Sequence, residues 1–351
     1  MSQARGWNRR QFLQATGAVG AAALLGRPRE AAAAGLNIFS WGWGYSDVVK
    51  DVVVPRFTKE TPGVDVRLEI STNAAMYPKI LASRQSPIVS GGMFNYLYSY
   101  RGAADGLWAE FDPRNLPALK HIPAELHPRG TGGYVFSLMP YGISYNPERV
   151  DKPKSWADLF DPKYRGKVGL SDLVFDGFMM TAKLVGKDVN DIEAGVREWA
   201  KHKENIGPWP KSPAQTHELI DKGELWLAFD FGGLSEGARS RGKKIAFTIP
   251  KEGGTPVADI LHVLKGFDAR TAEQTQRFLG LLLEDDAQRA LIKITHVSAV
   301  NRNAEIPKEL ADREGIITAR DAVERLHRYD FKYVGENLAK WKDLIDRNLK
   351  A

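Results

Sequence analysis

The sequence predicts a two-lobed α/β protein behind a removable export signal. Three observations carry this. The 351 residues exceed one ordinary domain. Apolar runs with strand, helix and strand periodicity follow one another directly after residue 35, and the alternation starts again at Trp156. No internal repeat, low-complexity tract or long linker interrupts it. The chain has no cysteine, so disulfides, thiolate metal sites, iron–sulfur clusters and a cysteine nucleophile are ruled out. Of the formal charge of +6, most sits in the first 34 residues, where Arg5, Arg9, Arg10, Arg27 and Arg29 oppose Glu30 alone. The near-neutral remainder gives no electrostatic reason to expect nucleic acid or an anionic membrane as partner.

In chain order, Asn8-Arg9-Arg10-Gln11-Phe12-Leu13 precedes a short apolar stretch, Ala15 to Leu25, and small residues crowd Ala31 to Ala34. These are the three parts of an export signal. The paired arginines resemble the twin-arginine type. Cleavage near Ala34 is expected to release a soluble periplasmic chain starting near Gly35, because the apolar run is too short to span a bilayer. Leu36–Ser40 reads as a buried strand, Tyr45–Thr61 as a helix kinked at Pro55 and ended by Pro62-Gly63, and Val64–Ile70 as a strand, together one βαβ unit. Met76–Ala82 follows as a helix, Pro87–Val89 as a strand and Ala103–Trp108 as a helical turn. The second set comprises helices at Trp156–Phe160, Phe178–Val185, Asp191–Lys203 and Thr216–Lys222. Its strands are Lys167–Leu170, Leu225–Phe229, Ile245–Thr248 and Ile260–Val263. Everything beyond reads as helical: Thr271–Leu283, Ala287–Ile294, Ala319–His327 and Val334–Asn348, the last with Leu338, Trp341, Leu344 and Ile345 on the face that docks against a lobe.

Several blocks share a family likeness. Tyr145-Asn146-Pro147-Glu148-Arg149-Val150 leads into Ser155-Trp156-Ala157-Asp158-Leu159-Phe160-Asp161-Pro162 and then Tyr164-Arg165-Gly166-Lys167-Val168. This resembles a passage of the bacterial ABC-transporter solute-binding proteins, above all their spermidine/putrescine-binding branch. Asp105-Gly106-Leu107-Trp108 and Ile249-Pro250-Lys251-Glu252-Gly253-Gly254 followed by Asp259 are similar to the same branch, in the same order. The resemblance implies a type II periplasmic-binding-protein fold with the ligand cleft between the lobes. Lobe one would comprise 35–140 and 259–303, lobe two 141–258, and the helices of 304–351 would pack on a lobe. Chain crossings near Pro140-Tyr141-Gly142 and Thr255-Pro256-Val257 would be the hinge.

The resemblance also implies a site. Trp41, Trp43 and Tyr45 follow the first strand, where the family carries rings that cover an amine, although the tyrosine here is displaced by one residue. Asp172 and Asp176 fall in a loop that holds acids in relatives, while Leu173 replaces another acid; Asp172 also reads as a plain helix cap. Asp230 and Phe231 stand where the branch has a tryptophan-containing turn. Asp259 matches the acid after the Lys-Glu-Gly-Gly block, Tyr98 matches a tyrosine at the cleft mouth, with Ser90 in place of an acid before it, and Tyr141 lies at the hinge crossing. The expected ligand is a cationic amine, since an ammonium leaving water must be paired with carboxylates and ring faces. An anionic or zwitterionic solute held at the Gly232-Gly233 helix start stays open, as does an exported hydrolase. Against catalysis stand the lack of paired metal-ligand histidine spacing, of a Gly-x-Ser-x-Gly elbow and of a P-loop. Ferric iron is disfavoured because no tyrosine lies between Tyr164 and Tyr329. The expected partners are a small solute and an inner-membrane permease with its ATPase; no cofactor, metal or nucleic acid is expected, and the chain is expected to be a monomer.

Overall fold

The computed structural model describes residues 35–171 and 174–350. The export signal and Asp172 lie outside the described residues.

Strand β1 (Leu36–Ser40) leads into helix α1, which runs from Tyr45–Val48 through a π turn, Val49–Val53, into Val54–Glu60. The wide turn stands just ahead of Pro55, whose ring and missing N–H an unbroken α-helix would not accept. β2 (Val66–Ile70) returns parallel to β1, completing the expected βαβ unit. Helix α2 (Asn73–Ala82) is followed by β3 at Gly91–Asn95, not at Pro87–Val89. Two glycines hid this strand. A Cβ on Gly92 would lie 2.4 Å from the Phe39 carbonyl oxygen and one on Gly91 2.6 Å from Thr275 Cγ2, so close packing excludes the side chains that mark a strand. α3 (Tyr96–Ala104) and β4 (Trp108–Ala109) replace the helical turn read at Ala103–Trp108.

The twelve-residue β5 (Tyr134–Tyr145) then crosses the molecule, and β6 (Val168–Gly169), α4 (Asp176–Leu184), α5 (Ile192–Ala200), α6 (Pro213–Asp221), β7 (Leu227–Phe231), α7 (Gly232–Ser240) and β8 (Ala246–Thr248) follow. β9 (Thr255–Leu264) crosses back, longer than the Ile260–Val263 read from the sequence. The chain closes with α8 (Ala269–Gly280), α9 (Asp285–Thr295), a short β10 (Ser298–Ala299) within the stretch expected to be all helical, α10 (Ala319–Arg325) and α11 (Phe331–Ile345).

The sheet order is β2-β1-β3-β9-β5-β7-β6, with β4 beside β9 and β8 and β10 beside β5. β5 is shared. Its first part pairs with β9, from Tyr134↔Leu261 to Tyr141↔Thr255, and its last part with β7, from Tyr141↔Phe231 to Tyr145↔Leu227. Two sets of parallel strands are thus joined by two long antiparallel ones, the α/β two-lobed arrangement. Trp156 is a core residue, as a purely structural reading has it: its ring is buried and its Nε1 donates to the Gly253 carbonyl at 2.8 Å. Helix α11 buries Trp341 and Ile345. It packs on both α3 and α5, with Gly335 against the Tyr100 ring, Trp341 edge-on to Phe175 and Lys340 paired with Glu193. Among the described residues no helix is long and apolar enough to cross a membrane.

Candidate functional site

The side-chain alternation of β9 puts Thr255, Val257 and Asp259 on one face, opposite Tyr141, Met139 and Ser137 of β5. Two carboxylates belong to this face, one near each end. Asp259 is 3% exposed and accepts hydrogen bonds from Tyr45 Oη at 2.8 Å and Ser137 Oγ at 2.7 Å. Asp176, the first residue of α4, is fully buried and accepts from Thr255 Oγ1 at 2.6 Å. At ~3.3 Å per residue, the four steps from Thr255 to Asp259 span about 13 Å.

Around Asp259, the turn after β1 supplies rings. Trp43 and Gly44 both take left-handed backbone angles (φ 51° and 86°), and a Cβ on Gly44 would lie 2.7 Å from Ile294 Cγ2. The turn therefore sends Trp43 outward while Tyr45 starts α1 facing in. Trp41 meets Tyr45 edge-on at 5.0 Å between centroids, and Phe136 lies 6.1 Å from Tyr45. Around Asp176 stand Tyr96 from the start of α3, Tyr141 from β5 and Tyr329 from the C-terminal segment. Phe231 packs edge-on against Tyr141 at 5.0 Å.

The electrostatics follow from burial. Desolvation pushes Asp259 up to about 7 and Asp176 up to about 6, against a few lowering hydrogen bonds from hydroxyls. Burial, then the nearby Asp176 charge, holds Tyr96, Tyr141 and Tyr329 well above the usual phenol range. Tyr45 is raised likewise by burial and by Asp259. Among the described residues, no lysine, arginine or histidine bonds to or pairs with either acid.

The remaining expected residues sit elsewhere. Trp43 is 88% exposed and does not face the acids. Tyr98 packs on Tyr77 at 5.2 Å with the Arg101 guanidinium 5.5 Å over its ring, so it already holds a cation of its own. Asp230 points to the opposite face of β7 from Phe231, where one of its oxygens accepts from His217 Nε2 (2.9 Å), Ser144 Oγ (2.9 Å) and Ser235 Oγ (2.8 Å). The expectation that it faces ligand is corrected by this closed network. Nor is the grouping a catalytic triad: both serines bond to the aspartate, where a nucleophile would bond to the histidine, and all four side chains are buried. Sequence reading missed Ser137, Phe136, Tyr96, Thr255 and Tyr329. Strand parity from Asp259 would have marked Thr255 had the strand been read from residue 255 instead of 260, but nothing local marked Tyr329. No cluster of metal-binding side chains exists among the described residues.

The start of α7, considered for an anion, is filled by the chain itself. A Cβ on Gly232 would lie 2.8 Å from the Gly315 carbonyl oxygen, and one on Gly233 2.6 Å from that of His296. These glycines serve close approach between segments.

Comparison with known proteins places this geometry in context. A family model described as bacterial extracellular solute-binding protein matches residues 99–321, and a model of the twin-arginine translocation signal matches residues 8–26. The spermidine/putrescine-binding periplasmic protein 1 of Haemophilus influenzae is 25% identical over 321 residues, covering 85% of each chain. An extracellular solute-binding protein of Bordetella parapertussis superposes with a TM-score of 0.78 at 22% identity, over 90% of this chain and 98% of that one. The spermidine/putrescine ABC-transporter substrate-binding protein of Streptococcus pneumoniae superposes at 0.74 with 19% identity, over 90% and 98%. The chain therefore belongs to the bacterial extracellular solute-binding proteins, as an exported periplasmic component of an ABC importer that binds a small solute for delivery to a membrane permease.

Proposed function

We propose that the captured solute is a cationic amine, held between Asp259 at one end of the β9 face and Asp176 at the other, with Trp41, Tyr45, Tyr141 and Phe231 supplying ring faces. One observation carries the reading: two buried carboxylates whose partners among the described residues are hydroxyls, not cations. A buried carboxylate needs a counter-charge or must take up a proton. An ammonium group supplies the counter-charge, and two acids at either end of a strand segment about 13 Å long suit a solute charged at both ends. The spermidine/putrescine relatives support the same class. In this reading β5 and β9 are the hinge strands, crossing near Tyr141 and Val257. The solute shifts the population toward the closed form because it bridges acids that belong to different lobes.

Thermal melts of the chain from Gly35 onward, with and without millimolar putrescine or spermidine, test it. A ligand at ~100 times its dissociation constant adds ~2.7 kcal/mol, a readable rise in Tm. No rise with either amine, together with a rise on adding a carboxylate or phosphate solute, would overturn the cationic reading.

A further inference from the structure

We infer that Tyr329 sets the length of solute that the cleft accepts, as the wall between the Asp176 end and a cavity on the other side of the hinge strands. The inference rests on the cationic reading above.

The cavity measures about 620 Å³, the size of a small-molecule site. Its floor is Leu138, Pro256 and Ala258, which alternate along β5 and β9 with the residues of the Asp259 face, so it backs onto the strands that carry the site. Tyr329 belongs to both places. It lines the cavity, and its hydroxyl lies close enough to Asp176 and Tyr96 for each to alter its titration. The backbone around it is held from both sides. Arg325 O accepts from Gly254 N at 3.1 Å, and His327 N donates to Gly254 O at 2.7 Å. Arg328 Nη1 donates to Glu125 O at 2.9 Å, and Asp330 N to Asn190 Oδ1 at 3.2 Å. On this inference the pinned ring is the wall between Asp176, which its hydroxyl reaches, and the cavity that it lines.

Shortening the side chain would join the two spaces. The methylene stem of a longer diamine could then run over the apolar floor toward the rim, where Glu125 and Asp330 stand beside Arg129 and Arg328. With Tyr329 in place, a short diamine ends at Asp176.

The test is calorimetric titration of the mature chain and its Tyr329→Phe, Tyr329→Leu and Tyr329→Ala variants with putrescine, cadaverine and octamethylenediamine. The phenylalanine variant should keep the order of preference of the parent. Leucine and alanine should move the ratio of octamethylenediamine to putrescine affinity by about tenfold or more toward the longer chain, the discrimination that a few methylenes confer. A merely structural role would weaken all three amines alike, and a ratio within about twofold of the parent in both variants overturns the inference. If the alanine variant fails to fold, the leucine variant, which keeps apolar bulk, decides alone. A parent that binds none of the amines overturns the cationic reading and this inference together; a parent that binds them with an unmoved ratio in the variants overturns this inference only.

Discussion

Among the described residues, four buried acids divide into two kinds. Asp230 receives His217 and two serine hydroxyls, and Glu236 receives Arg313 and Arg239 together with the Gly315 amide. Both are supplied by the chain, and both tie segments together: Asp230 joins β5, α6, β7 and α7, while Glu236 fastens α7 to the loop at Arg313–Gly315. Asp259 and Asp176 are equally buried but receive hydroxyls alone. Burial by itself therefore does not mark a binding site. What distinguishes the second pair is a charge left for something outside the chain to balance, and both lie against β9, Asp259 on the strand itself and Asp176 at the start of α4 through Thr255.

The sharpest way to break this contrast is to remove an acid of each kind. Asp230→Ala leaves His217 and two serines without their common acceptor. Leaving a buried donor without its acceptor costs about 1–3 kcal/mol, so this variant should lose at least that much in urea unfolding while its remaining folded fraction binds putrescine as the parent does. Asp259→Asn should do the reverse. The amide keeps its shape and can still accept from Tyr45 and Ser137, so the fold survives, whereas putrescine affinity should fall about 100-fold or more because the ammonium loses its counter-charge. If Asp259→Asn unfolds the protein and Asp230→Ala abolishes binding, the division between the two kinds of acid is wrong.

Titration sharpens the contrast further. The folded-state pKa values of Asp259 and Asp176, about 7 and about 6, lie above the ordinary carboxylate value. A raised acid contributes stability that is complete below its unfolded pKa, near 4, and is lost as pH rises through its folded pKa. Without ligand, the protein should therefore become less stable between about pH 4 and pH 7, by on the order of a few kcal/mol. Asp259→Asn should flatten much of that slope. Putrescine binding should strengthen over the same interval, since only the ionised acids pair with it. Melts at four pH values, with and without putrescine, read both trends; a parent whose unliganded Tm is flat from about pH 4 to 7 would show that burial does not raise these acids in the fold.

How much of this was legible beforehand depends on range. The first βαβ unit follows from local periodicity and turn residues. β3 escaped because it begins with Gly91-Gly92, where contact with Phe39 and Thr275 decides the residue type and local propensity does not. Asp259 and Asp176 were singled out through the resemblance of short blocks to the solute-binding family. Tyr329 and Thr255 were not, because their importance comes from what lies across the fold, 153 and 79 positions from Asp176 respectively in the case of the tyrosine and the threonine. Asp230 was misplaced for the same reason: its neighbours Asp230-Phe231 look alike in sequence, and only the strand pairing shows that they face opposite ways.

Trp43 gives the smallest expected effect and the cleanest control on reading rings as ligand contacts. An indole that is 88% exposed loses almost no burial when it is removed, and its left-handed backbone (φ 51°) is one that glycine adopts without cost. Trp43→Gly should therefore change stability by no more than about 1 kcal/mol, with the relief of strain opposing the added freedom of the unfolded chain. Putrescine affinity should stay within about twofold of the parent, well under the ~0.5–2 kcal/mol of a ring that faces a cation. Trp41→Ala, by contrast, removes the ring that packs on Tyr45 beside Asp259 and should weaken binding severalfold. A large loss from Trp43→Gly would mean that this turn folds inward around the solute, and that the inner and outer rings exchange roles when the cleft closes.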